Sequence, residues 1–315
     1  MSATNPEQLA GLASTFEHAP SIAEKLGPRL SPETPAQRFV RWISSSFITI
    51  LVVLIALLWS VPTIGLFVTS FRPFPDIQSS GWWTALLPPW HFVLTNYQQV
   101  ITQQGLGTAF LNSLIISIPG TILPVFVASF AAFAFAWLKF PGRDWIFLAI
   151  VALLVVPAQL ALIPVLQLFT NIGISGTFFG IWLFHTAYGL PFAIYLLRSF
   201  FGALPADLFE SAHIDGASNM RVFFSIVLPL SIPSLASLVI FQFMWVWNDL
   251  LDALILMVGR NLPMTVVIAN LVNSFGSGYQ LLTAAAFISI ALPLVVFFSL
   301  QRYFVRGILA GSVKG

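Results

Sequence analysis

A chain of 315 residues that is 58% hydrophobic and only 8% charged is not a water-soluble globule, in which about a quarter of the residues carry charge. Length alone would allow two soluble domains, but this composition overrides that expectation. The formal net charge of +2 gives no argument for a nucleic-acid partner, and the absence of cysteine excludes disulfides, thiolate nucleophiles and thiolate metal sites. The only lysines are Lys25, Lys139 and Lys314. None follows a phosphate-loop glycine pattern, so any ATP chemistry has to come from a partner.

Residues 1–41 are polar and rich in Pro, Ala and Ser, and Pro20, Pro28, Pro32 and Pro35 break any long helix. A mostly disordered arm is expected there, with at most a short helix near Ser21–Leu26. The first apolar run starts too late and lasts too long for a cleaved signal peptide. A bilayer span needs about 20 mostly apolar residues. Six stretches qualify: Ile43–Thr69, Phe110–Trp137, Trp145–Phe169, Gly176–Leu197, Ile232–Val258 and Leu281–Tyr303. The expected fold is therefore an all-α integral membrane protein with six transmembrane helices over 42–303 and a tail over 304–315.

Basic residues set the expected orientation. With the N-terminus inside, the inner segments hold Lys25, Arg29, Arg38, Arg41, Lys139, Arg143, Arg198, Arg221, Arg302, Arg306 and Lys314, and the outer segments only Arg72 and Arg260. Both termini and the polar stretch 199–230 then lie in the cytoplasm of a cell whose inner membrane holds the spans. The long outer segment Arg72–Gly105 carries Trp82, Trp83, Trp90 and Tyr97, which suit an interfacial aromatic belt.

Within the spans, Asn112, Gln159, Gln167 and His185 read as interhelical hydrogen-bonding groups. Asn248, Asp249 and Asp252 follow Trp247 inside the fifth stretch. Intramembrane carboxylates are functional by default, so Trp247, Asn248 and Asp249 are candidates for a solute path. The competing reading has Asp252 simply facing interfacial water. Amides and carboxylates would bind sugar hydroxyls, and Trp245 or Trp247 could stack on a sugar ring. His18, His91, His185 and His213 are scattered along the chain, so no metal site is expected. No nucleophile, base and orienting residue can be assembled, and enzyme chemistry is not expected.

Between two apolar runs stands the polar stretch 199–230. Pro205 and Asp207 are helix-start residues, with Glu210 three after Asp207. Two short helices are expected, bent at Gly216 and lying at the membrane surface, with Phe209 and Met220 as apolar anchors for a docking partner. One carboxylate here would read as a solvated helix face. The spacing says more. Glu210-Ser211-Ala212, three residues, Gly216, nine residues, then Ile226-Val227-Leu228-Pro229 resembles the EAA loop of ABC importer permeases, departing only at Ser211, where Ala is usual. The resemblance runs from about Trp59 to Gly315. The closing Gln301–Gly307 run and the end at Lys314-Gly315 are similar to the tail of MalG-type carbohydrate permeases.

That resemblance implies a type I importer permease whose coupling residues are Glu210, Ser211, Ala212, Asp215, Gly216, Ile226, Leu228 and Pro229. By the same resemblance the tail, with Gly307, Gly311, Lys314 and Gly315, reaches between the ATPase subunits, its glycines giving the backbone freedom in a narrow gap. The last outer loop, 259–280, with its tip at Asn273, Ser274, Phe275 and Gly276, would meet a sugar-binding protein. The implied partners are a MalF-like second permease, an ATPase dimer, an extracytoplasmic sugar-binding protein and the bilayer. The chain itself would hold no cofactor, ATP and Mg being bound by the ATPases. A di- or oligosaccharide is the expected cargo, with glycerol-phosphate compounds as the alternative. A secondary transporter would need coupling charges, inverted repeats or a filter, and none is evident.

Overall fold

The computed structural model describes the backbone of residues 35–272 and 278–312. Residues 1–34 of the arm expected over 1–41, the loop tip Asn273–Gly276, and Lys314 and Gly315 lie outside the described residues, while the rest of that arm, from Pro35, is helical rather than disordered. Two compact units are present, Met1–Thr63 and Ile64–Gly315. The described part of the first is helical and opens α1 (Pro35–Ser70), with no charged side chain over 46–63. There Ser60 returns its hydroxyl proton to the Ala56 carbonyl at 2.7 Å, satisfying a polar group that lipid cannot.

In the second unit the end of α1 is followed by α2 (Phe74–Ser79), a 3₁₀ turn (Trp82–Leu86) and α3 (Thr95–Thr102). Next come α4 (Leu106–Trp137), α5 (Arg143–Ala152), α6 (Ala158–Asn171) and α7 (Phe178–Phe201). The polar stretch supplies α8 (Ala206–Ile214), α9 (Asn219–Val222), a π-turn (Phe223–Val227) and α10 (Leu228–Leu230). The chain then forms α11 (Ile232–Trp247), α12 (Leu251–Leu256), α13 (Met264–Val272) and α14 (Tyr279–Ser312). No strand occurs among the described residues.

Among the described residues four helices are long and apolar enough to cross a membrane unbroken, and counting each of two bent pairs as one span brings the number to six. The expected third span, Trp145–Phe169, is one of the bent pairs: Arg143–Val155 meets Ala158–Asn171 at 99°. Proline explains the break. Pro157 cannot donate a backbone N–H, and it forces Val156 into an extended conformation (φ −79°, ψ 114°). The expected fifth span, Ile232–Val258, is also not one helix. It ends at Trp247, Asn248 turns its amide back onto the Met244 carbonyl at 2.7 Å, and α12 starts afresh. The last helix runs the other way, past the expected end at Tyr303 to Ser312. Gly307 and Gly311 therefore lie in a helical backbone rather than a separate tail.

The packing centre of the unit is α4 against α7, and small residues set its closeness. Ala128, Ala132 and Ala193 are fully buried. A Cβ at Gly120 would stand 3.2 Å from Val246 Cγ1 and one at Gly189 would stand 2.6 Å from Gln242 Nε2. α11 thus approaches both helices at their glycines. Asn112 donates its amide to the carbonyls of Arg260 (2.8 Å) and Leu262 (3.0 Å), so it ties α4 to the turn before α13 rather than one span to another. Gln159 and Gln167 instead face outward on α6.

Outside the spans, Arg72 is buried and donates to the carbonyls of Ser80 (3.2 Å) and Asp76 (2.7 Å) and to Ser80 Oγ (2.6 Å). It fixes the turn after α1, while Trp83 and Trp90 remain exposed as an interfacial belt requires.

Candidate functional site

The polar stretch folds into a knob joined to α4 by several ring contacts, Phe209 on Trp137 and Phe223 against Phe130 and Phe133. Pro205, extended at φ −61° and ψ 130°, opens α8. Gly216 has φ +78° with nothing within 4 Å of where a Cβ would stand. It therefore serves the backbone bend, not close packing. Ser218 then caps α9 by accepting the Arg221 N–H at 3.4 Å. The π-turn precedes Pro229, whose ring would crowd the carbonyl four residues back in a regular helix. The Leu228 N–H reaches the Phe223 carbonyl instead.

Phe209 is only 5% exposed and stacks on Trp137, with centroids 3.5 Å apart and planes at 18°. Trp137 Nε1–H in turn donates to the Phe201 carbonyl at 2.9 Å. The knob is thus clamped to the end of α4 and the end of α7. Ala212, Ile226 and Leu228 pack against the same cluster, which includes Phe201, Val222 and Phe223. Glu210, Ser211, Asp215, Gly216 and Pro229 point outward. The expectation for Phe209 is corrected: it anchors the knob inward, because a ring at that position meets Trp137. Met220 is exposed, and so are Leu208, Phe224 and above all Ile214, at 85%. Ile214 was overlooked, though it lies one helical turn after Glu210 on the same face.

His213 fastens the two short helices together. Its Nδ1 is 2.6 Å from the Phe209 carbonyl and its Nε2 is 3.1 Å from Asn219 Oδ1. Two acceptors are best served by a doubly protonated ring. The Phe209 carbonyl first, and then the Asn219 amide oxygen, raise the His213 pKa above its ordinary value.

The three residues expected along a solute path are each engaged in holding the fold. Trp247 is 2% exposed, donates Nε1–H to the Ser289 carbonyl at 3.1 Å and stacks on Phe243. It bolts α11 to α14 rather than lining a path. Asn248 caps α11 as described. Asp249 accepts the backbone N–H groups of Asp252 and Ala253, both at 3.0 Å, and so starts α12. The open concavity lies one face away. A pocket of about 280 Å³ is lined by Tyr188, Gly189 and Phe192 of α7 and by Phe241, Gln242 and Trp245 of α11. Gln242 is buried and donates Nε2–H to the Gly120 carbonyl at 3.2 Å. Sequence reasoning passed it over, although it is the only amide in Ile232–Trp247. The choice between Trp245 and Trp247 could not be made without knowing which side of α11 faces α14.

Residues 124–310 match the family of binding-protein-dependent transport system inner membrane components. The chain belongs to this family. The permease is 54% identical over 275 residues to an osmoprotective compounds uptake permease protein, GgtD, of Synechocystis, an alignment covering 85% of this chain and 91% of that one. It is 51% identical over 239 residues to the alpha-glucoside transport system permease protein AglG of Rhizobium meliloti, covering 74% of this chain and 63% of the relative. An arabinooligosaccharides transport permease, AraQ, of Halalkalibacterium halodurans is 32% identical over 275 residues, covering 87% and 98%. In fold, the permease superposes on a chain of a bacterial ABC transporter involved in the import of the acidic polysaccharide alginate. The TM-score is 0.73 at 20% identity, with 87% of this chain and 99% of that chain covered. It is an ABC importer permease with a type I fold, and its EAA-like knob falls inside the matched region.

Proposed function

We propose that this permease imports a neutral di- or oligosaccharide of the α-glucoside class, passing it along the pocket between α7 and α11. The observation that carries the reading is the lining of that pocket: Tyr188, Phe192, Phe241 and Trp245 offer ring faces, Gln242 offers an amide, and no charged side chain lines it among the described residues. Sugar rings present apolar C–H faces and polar edges, which such a surface complements. A phosphate-bearing cargo would call for Arg or Lys, so the absence of cations in the lining argues against the glycerol-phosphate alternative. The volume of about 280 Å³ is close to the small end of ligand pockets, about 300 Å³. A larger cargo would share its contacts with a second permease. The names of the relatives, alpha-glucoside and osmoprotective compounds permeases, support the same class.

In this reading a MalF-like permease pairs with the chain, an extracytoplasmic sugar-binding protein delivers the cargo, and partner ATPases hydrolyse the ATP. Glu210, Ser211, Asp215, Ile214 and Met220 form the outward face of the knob that an ATPase cleft receives. Ala212, Ile226, Leu228 and the Trp137–Phe209 stack convey its motion to α4 and α7. Gly307 and Gly311, on the last turns of α14, approach the ATPase pair with the C-terminus. Both termini and the knob are cytoplasmic, in keeping with the basic residues of the inner segments. The test is glucoside uptake by the reconstituted complex with Gln242→Ala and Trp245→Ala. Both variants are expected to raise the half-saturating sugar concentration of uptake while leaving assembly intact. Unchanged uptake in both would remove the pocket from the path.

A further inference from the structure

Behind Trp245 lies a polar cluster that the sugar pathway does not use. His185 of α7 is fully buried, and neither ring nitrogen makes a hydrogen bond among the described residues. The Trp245 ring meets it edge-on at 5.4 Å between centroids. Facing it are Asp249, in the break between α11 and α12, with Oδ2 at 3.7 Å from His185 Nε2, and Asp252, in the first turn of α12 and itself 5% exposed. One ligand atom from each of His185, Asp249 and Asp252 lies within 4.8 Å of the other two. Neither carboxylate pairs with Arg or Lys among the described residues.

Buried charges need a partner. A simple His–Asp hydrogen bond would satisfy only one ring nitrogen and leave the two carboxylates side by side. We propose that His185, Asp249 and Asp252 form a binding site for a first-row divalent cation, of which Zn²⁺ is the probe, joining α7 to the α11–α12 break. One imidazole nitrogen and two carboxylate oxygens form a ligand set that zinc takes readily. Zinc bonds of about 2.1 Å put tetrahedral donors about 3.4 Å apart, so the His185–Asp249 approach needs to tighten by only a few tenths of an ångström. Asp249 is already held by two backbone amides, as outer-shell bonds hold metal ligands. A water completes the coordination.

The deciding experiment measures zinc bound to the purified complex after chelation and re-addition of Zn²⁺ alone. Metal content is counted per permease, and the zinc concentration dependence of thermal stability is followed. Wild type is expected to hold one zinc more than the Asp252→Asn and His185→Gln complexes, both near-isosteric changes, and to lose its zinc-dependent stabilisation in either. Asp252→Asn is expected to weaken binding at least tenfold. A wild-type complex holding no more zinc than the two variants, at every concentration, would overturn the site. This readout is independent of sugar, so it stands or falls apart from the assigned cargo.

Discussion

The Trp137–Phe209 stack has the shortest centroid distance of the ring contacts between the knob and α4, 3.5 Å, which makes Trp137 the most informative residue to change. Trp137→Ala removes the ring face lying 3.5 Å from Phe209 and the hydrogen bond to the Phe201 carbonyl. Truncating a fully buried Trp costs about 3–5 kcal/mol. Trp137 is half-buried, so about 2 kcal/mol for the lost packing and about 1 kcal/mol for the hydrogen bond is the appropriate scale. At about 1.4 kcal/mol per factor of ten, a loss of about 3 kcal/mol shifts the docked-to-undocked ratio of the knob by about a hundredfold. Trp137→Phe keeps the stack and loses only the N–H, so its effect is about fivefold. The assay is the ratio of ATPase activity with and without loaded binding protein in the reconstituted complex, with amide exchange of residues 206–222 as the structural readout. Stimulation should fall in the order wild type, Phe, Ala, as exchange rises. A Trp137→Ala complex that assembles, is stimulated like wild type and protects the same amides would refute the clamp.

Three further outcomes follow from the geometry. Gly216→Val puts a branched side chain at φ +78°, a conformation costing an L-residue about 1–2 kcal/mol. Coupling should therefore drop in Val, with Gly216→Asn milder, measured as the same stimulation ratio. In Gly189→Ala the new Cβ would sit 2.6 Å from Gln242 Nε2, the movable end of that side chain. The protein should fold and assemble, but glucoside uptake should show a raised half-saturating concentration because the pocket's amide is displaced. The raised pKa of His213 means that its contribution to knob stability is fully present below its ordinary value of about 6.5. It is lost as pH rises through the raised value. Exchange of the 206–222 amides should accelerate over that window, and His213→Gln should flatten the pH dependence.

How much of this was legible beforehand differs between the knob and the pocket. The knob was readable because its information is local: Pro205, Gly216 and Pro229 each act on their own backbone, and the spacing between them survives without any tertiary contact. Span count was readable from apolar length, yet the third span was drawn as one stretch, because hydropathy does not give the angle, 99°, that a proline such as Pro157 imposes. Likewise the fifth span was drawn through Asn248. Its amide caps α11 there, and Asp249 nucleates α12. Which side of α11 lines the pocket was beyond reach. Helices that are apolar all round carry no periodic signal, so Trp245 and Trp247 were equivalent until α14 covered one of them. Gathering His185 with Asp249 and Asp252 required three-dimensional packing of α7 against the α11–α12 break, which spacing cannot supply.

The central claim is that solute movement through this permease is driven by ATPases acting on the knob. Uptake of a labelled α-glucoside into proteoliposomes measures it directly, comparing complete complexes with those lacking the ATPases, the binding protein, or a native Gly216. Uptake is expected only when ATP, ATPases and binding protein are all present, and to fall sharply in Gly216→Val. Glucoside accumulation without the ATPases, or undiminished uptake in the Gly216→Val complex, would contradict the account.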